Sequence, residues 1–176
     1  MTTPEPTTEQ NAWPDAYHAA SQAALRIAQA SGAEIRERPL WPGSYSTVRY
    51  AEPLAGIRAA VTARDAAARV VGDYVQRARE DGADWLDIGR ALGLENEDRE
   101  PYDVAVAAYE RTAGEGSLSR GPAFGFTCGT CGQHVRDNGP YTASPLDCEE
   151  GHAGDCSRMA GAVRAYRAQW EGGDDE

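Results

Sequence analysis

All four cysteines of this 176-residue chain fall between positions 128 and 156, and the first two sit in the run Phe126-Thr-Cys128-Gly-Thr-Cys131-Gly132. Thiols gathered into one short stretch constrain a fold strongly, because they must end as disulfides, as buried free groups or as ligands of one metal ion. The chain opens on a polar, proline-bearing stretch and shows no charged-then-apolar leader. No apolar run approaches the roughly 18 residues that mark a membrane span. A cytoplasmic, reducing setting is therefore expected, with no membrane contact, and there a disulfide framework is disfavoured.

Two thiolates three residues apart can face one ion only if the backbone curls into a tight knuckle. Gly129 and Gly132 permit that curl, since glycine tolerates positive φ and lets backbone amides approach the sulfurs. Phe124, Phe126 and Val135 predict the two arms of a short hairpin around the knuckle. A second pair of ligands must come from farther along, and His152 and Cys156 stand four apart. On a helix that spacing puts both on one face, one turn separated, in line with Met159 and Val163. The predicted site is thus Cys128, Cys131, His152 and Cys156 around one structural Zn2+ per chain. Cys148 is the alternative ligand, in place of His152 or Cys156, because it lies four before His152. Gly151 and the pair Ser144-Pro145 put the helix start after Cys148 and favour the first set, while His134 would strain to reach the ion. A redox Cys-x-x-Cys pair belongs at a strand-to-helix turn of a βαβ pattern, which the sequence lacks. A catalytic zinc would keep one position open beside a general base. Glu149, Glu150 and Asp155 are bases in name only, and four good ligands close the site. With no nucleophile–base pair or phosphate loop in sight, no enzyme is expected.

Upstream, the periodicity is helical, and the fold class expected is mainly α: a small helical bundle followed by a zinc-binding hairpin-and-helix module. Residues 1–12 read as a disordered tail and 13–113 as a helical domain. Within that domain, a helix is expected from Asp15, as cap, to Ser31, with Gly32 as its stop. A connector with a short strand near Thr47–Tyr50 follows. The strongest signal covers Leu54 to Asp81, where Leu54, Ile57, Val61, Ala68, Val71, Val75 and Ala78 follow alternating three- and four-residue steps broken by Arg64. Such a helix serves equally as a dimer seam or as the spine of a monomer, so the oligomeric state stays open. A short helix from Trp85 to Leu92 is opened by Asp84, with Asp87 completing a capping box, and closed by Gly93. Pro101 starts a third helix to Ala113, with Val104, Ala105, Ala108 and Tyr109 as its apolar face. Residues 114–123 form a glycine-rich linker, 124–170 the zinc-ribbon-like module with a final helix from about Asp155 to Trp170, and 171–176 an acidic tail.

The run Trp85-Leu-Asp-Ile88-Gly89-Arg-Ala-Leu92-Gly93 resembles the first helix and turn of many bacterial helix-turn-helix proteins, over a segment spanning 54–113. Gly89 would let a neighbouring helix approach. The turn is long, however, and the expected recognition helix opens Glu100-Pro-Tyr-Asp103, where family members present polar and basic side chains. Between Arg79 and Glu115 there are eleven acidic residues against four arginines, and the whole chain carries a formal charge of −11. Phosphates repel such a face. A richer basic stripe runs along the long helix, where Arg58, Arg69, Arg77 and Arg79 are the candidate nucleic-acid contacts, with Arg64 among them. The bland alternative is a solvated face laced by ion pairs with Asp65 and Asp73.

Over residues 53–170, the helical bundle, this motif, the glycine linker and Thr127-Cys-Gly-Thr-Cys-Gly-Gln-His134 together resemble a group of actinobacterial helix-turn-helix-like proteins with a C-terminal zinc-ribbon-like module. The resemblance implies a fold and a bound metal and carries over no activity. The function expected is a non-enzymatic regulatory or adaptor protein that binds DNA or a protein of the transcription machinery. The alternative is an acidic protein-interaction module that never touches DNA.

Overall fold

A computed structural model describes residues 8–113 and 124–171 of the chain. It divides into two compact units, one up to Val70 and one from Val71 onwards. The division falls inside the long helix, not at the glycine-rich stretch. Residues 114–123, expected as a linker, lie outside the described part, as do 172–176 of the acidic tail.

The first unit begins with α1, Thr8–Ala30. The expected tail is therefore helical from Thr8, residues 1–7 lying outside the description, and Asp15 is no cap. Pro14 sits inside α1. A proline inside a helix removes one backbone bond, yet the helix runs through it. Gly32, with φ 79°, ends α1, and the Ala33 amide closes back onto Ala28 as in a Schellman turn. Two antiparallel strands follow, β1 (Ile35–Pro39) and β2 (Thr47–Ala51), in register Ile35 to Ala51 and Pro39 to Thr47. The sequence indicated only the second. Charged residues dominate β1, so it lacks the alternation that reveals a half-buried strand. The long helix α2 spans Pro53–Asp81. The Glu52 carboxylate caps it, accepting from the amides of Leu54 and Ala55 at 3.1 and 2.9 Å. The buried apolar side chains described in this unit are two alanines, Ala28 and Ala59.

In the second unit, α2 ends at Gly82 with φ 100°. The helix α3 (Trp85–Ala91) is capped by Asp84, which accepts from the Asp87 amide at 2.8 Å. The Asp87 carboxylate turns to Arg90 at 3.4 Å. Gly93 closes α3, and α4 runs Pro101–Ala113, burying the four residues expected of it. A Cβ on Gly89 would stand 2.6 Å from Val104 Cγ1 and 2.9 Å from its carbonyl oxygen, so α3 and α4 touch where only hydrogen fits. The chain is thus mainly helical among the described residues, with two small sheets.

The second sheet is β3 (Phe124–Thr127), β4 (His134–Asp137) and β5 (Glu149–Glu150), antiparallel in that order. The hairpin was expected; β5 is too short to have a period. The short helix α5 (Pro145–Cys148) starts at the Ser144-Pro145 pair, and α6 runs Ser157–Glu171. Trp85 stacks edge-on against both Tyr109 and Phe124, with centroids 5.0 and 5.3 Å apart, and Tyr109 meets Tyr141 in the same way. Helices α3 and α4 and the cysteine-bearing segment therefore share one core.

Gly89→Ala should cost about 1–3 kcal/mol, as overpacked helix contacts do. Gly72→Ala, in the interior of α2 with nothing within 4 Å of the new methyl, should instead stabilise by up to about 1 kcal/mol. Urea unfolding of both variants checks the opposite signs.

Candidate metal centre

The knuckle at Cys128–Gly132 is set by its glycines, though not in one way. Gly132 has φ 69°, the left-handed conformation the curl requires. Gly129 needs no such φ. Its amide donates to the Glu80 carbonyl at 3.1 Å, and a Cβ there would lie 2.8 Å from that same oxygen. The knuckle thus docks on the end of α2, and glycine serves close approach. Inside the knuckle the Cys128 amide donates to Gln133, and the Gly132 amide to Cys128.

Cys128, Cys131, His152 and Cys156 bring their donor atoms within 4.8 Å of one another. Cys128 Sγ lies 4.0 Å from Cys156 Sγ, and His152 Nδ1 lies 3.7 and 3.5 Å from the sulfurs of Cys131 and Cys156. A tetrahedral ion with metal–sulfur bonds near 2.3 Å and a metal–nitrogen bond near 2.0 Å has ligand edges of about 3.8 Å and about 3.6 Å. The three edges above are close to those lengths, and the cysteines form no disulfide. The donor set fits a metal ion.

The route to this geometry differs from the expected one. His152 and Cys156 do not share a helical face, because α6 begins only at Ser157. Gly151, at φ 105° and packed so that a Cβ would meet the His134 carbonyl at 2.7 Å, turns the chain out of β5. A turn through Gly154 and Asp155 then delivers Cys156, whose amide donates to Ala153. A four-residue spacing fits a compact turn as well as a helix. Cys148 stays outside the cluster: its thiol donates to the Thr142 carbonyl at 3.2 Å and meets the Thr142 hydroxyl at 3.3 Å.

The electrostatics favour thiolate at Cys131 and Cys128 and oppose it at Cys156. Amides of Ala153 and Gln133 hold the Cys131 thiol down to about 7. Burial pushes Cys128 up, but the amides of Cys131 and Thr130 outweigh it and leave it lowered. At Cys156 the Met159 amide lowers the thiol, yet burial and the two neighbouring sulfurs together leave it raised. Three thiols this close share their protons, and a cation displaces the last of them.

Behind the ligands lies a charged network the sequence reading missed. His152 Nε2–H donates to Glu149 Oε2 at 2.7 Å, the tautomer that leaves Nδ1 free to bind metal. Glu149 also accepts from Arg79, and from Arg158 at 3.0 Å. Burial alone would raise the Glu149 carboxyl, but Arg79, His152 and Arg158 hold it below its ordinary value. Arg79 further donates to the buried Asp137 at 2.8 Å, which accepts from Trp85 Nε1–H at 3.0 Å and from the Gly139 amide at 2.9 Å. Asp137 is fully buried and Arg79 is 3% exposed, so Arg79 is not a nucleic-acid contact. Its guanidinium lies over Trp85 and Phe126, at 5.3 and 5.2 Å from their centroids. Arg58, Arg69 and Arg77 remain exposed along α2. The partners of Arg79 lie 58 and 70 positions away, and no local pattern announces them.

No protein-family model, curated protein or solved structure matches the chain.

Native mass spectrometry should find one metal ion per chain, kept in Cys148→Ser and lost in Cys131→Ser and Cys156→Ser. Arg79→Leu should cost about 3–5 kcal/mol of stability in urea, as removal of one partner of a buried ion pair does.

Proposed function

We propose that this protein is a non-enzymatic adaptor or regulatory protein, that its C-terminal unit is held by one structural zinc ion, and that it acts by contacting protein rather than duplex DNA. The observation that carries this reading is the closure of the donor set. Three sulfurs and one imidazole nitrogen would complete a tetrahedron around one ion by themselves, which would leave no position for water or substrate. Three thiolates and one histidine suit zinc in preference to a hard cation, which takes oxygen ligands.

The charge distribution supports the choice of partner. Arg79 is spent on the interior, and Arg158 donates to the Arg79 carbonyl at 2.7 Å as well as to Glu149. The helix α4, which would read bases in a helix-turn-helix, puts Val104, Ala105, Ala108 and Tyr109 inward. Its approach carries Glu95, Glu97, Asp98 and Glu100. A protein of the transcription machinery is the partner class that the helix-turn-helix resemblance suggests. Duplex DNA is the second reading, favoured by the exposed Arg58, Arg69 and Arg77.

Fluorescence anisotropy with a labelled random-sequence duplex separates the two. No binding at about 150 mM salt, and no steep rise as salt falls to about 50 mM, is expected of a protein-binding adaptor. Tight binding with a slope of several released counterions would replace this reading with the DNA one. Chelation should unfold the second unit, read as loss of helical ellipticity and of the tryptophan signal. A unit that stays folded without metal would remove the structural role.

A further inference from the structure

We infer that α2 is the seam of a homodimer, in which the segment Leu54–Val71 packs antiparallel against the same segment of a second copy of this chain. The pattern comes first. Positions 54, 57, 61, 64, 68 and 71 alternate three- and four-residue steps, the narrow repeat of a two-helix seam. A seven-residue repeat keeps one line of side chains facing a partner helix, and it has no such purpose on an isolated helix.

The structure leaves that line open. Leu54 and Ile57 are 61% and 60% exposed, and Val61 and Val71 are 41% and 44% exposed. Helix α1 does not cover them, because it meets a different side of α2. The groove between the two helices is lined on α2 by Ala55, Ala59 and Thr62, with Arg58 at its edge, between the groove and the seam. At 100° per residue, the buried Ala59 stands roughly 170° around the helix from the middle of the seam. With two alanines buried, the first unit has little core to offset the entropy of ordering two long helices and a hairpin. A second copy supplies the missing apolar contact.

Charge selects the occupant and its direction. In the antiparallel register that sets Leu54 opposite Val71 and Ile57 opposite Ala68, Arg64 faces Val61 of the second copy. In the same register Arg58 flanks the seam opposite Asp65 of the second copy, and by symmetry the pair forms twice. Ala60 meets Ala67 on the other flank, small enough for close approach. A parallel pair would set Arg64 against Arg64 within the seam and would leave Arg58 and Asp65 with no partner across it. Both side chains are exposed: Arg58 stands near Glu52 with no ion pair to it, and Arg64 holds Asp65 at 2.8 Å within the chain, leaving that carboxylate with lone pairs to spare. The seam complements itself, which is what a symmetric two-fold contact requires.

Sedimentation velocity and light scattering on the full, metal-loaded chain test the dimer. Over about 5–500 µM chain the mass should rise from one copy to two, the range in which a micromolar Kd (about −8 kcal/mol) is read. Ile57→Asp, at an exposed position where circular dichroism should stay unchanged, should leave a monomer throughout. Arg58→Asp should weaken the dimer about tenfold, since two flanking pairs become repulsive, and Arg58→Asp with Asp65→Arg should restore it. A chain monomeric at the highest concentration overturns the proposal. A dimer that survives Ile57→Asp puts the interface elsewhere and overturns it too. A dimer lost in Ile57→Asp but indifferent to both charge variants overturns the antiparallel register.

Discussion

The second unit depends on the guanidinium of Arg79. The sheet register sets Asp137 on β4 directly across from Glu149 on β5, two carboxylates on neighbouring strands of one small sheet. Like charges placed opposite each other oppose pairing. Arg79 resolves the conflict by donating to both, and its planar fork suits two carboxylates better than an ammonium would. Its flat faces meet Trp85 and Phe126, so the same group that neutralises the sheet also packs the aromatic core. Trp85 and Tyr109 then fasten α3 and α4 to Asp137, by the indole N–H and by a phenol donating to the Asp137 carbonyl at 3.1 Å. One buried cation thereby joins α2, α3, α4 and the sheet.

The metal centre draws on this network at one remove. His152 is aimed by Glu149, and Glu149 is held by Arg79 and Arg158. The knuckle meanwhile rests on the Glu80 carbonyl, one residue beyond Arg79 on the same helix end. Both halves of the donor set are therefore referenced to the last turn of α2. The cysteine-bearing segment buries few apolar groups, here Phe126, Val135 and Met159 with two of the cysteines. Metal binding free energy of about 10–16 kcal/mol can order so small a core. In this chain the neighbouring helices add a second anchor, because Phe124 of the cysteine-bearing segment packs into the core of α3 and α4.

The sequence made the cluster of Cys128, Cys131, His152 and Cys156 legible because metal chemistry is local: two thiols in a knuckle and two donors four apart leave few arrangements. Helix limits were equally legible where capping residues are strong, at Asp84, Gly93 and Pro101. The ion-pair network was hidden for the opposite reason. Arg79 reads as one of several arginines on a helix, and Asp137 reads as a turn residue before Asn138-Gly139; only the fold, bringing together positions 58 apart, shows them as partners. The helical reading of His152 and Cys156 failed because side-chain spacing reports distance along the chain and says nothing of the backbone that spans it. The α1 start was misplaced by taking Asp15 as a cap, when an aspartate can also stand inside a helix that began a few residues earlier.

The apolar stripe of α2 carries the hardest lesson about reading periodicity. It is one pattern in the sequence, yet it has two fates. Val75 and Ala78, its last members, belong to the core formed with Trp85, Ile88 and Tyr109. Leu54, Ile57, Val61 and Val71, its earlier members, face outward. Apolar residues recurring at helical spacing indicate that a face is meant to be covered, and they cannot say by which chain. What distinguishes the two stretches is the flank. Around Val75 and Ala78 the neighbouring side chain is Arg79, whose charge is answered from within the same unit. Around Leu54 to Val71 the flanking charges are Arg58 and Asp65, opposite in sign and seven apart, so each would meet its complement on an identical helix running the other way. Flanking charge, more than the stripe itself, separates a core that a chain completes alone from one that it completes with a copy.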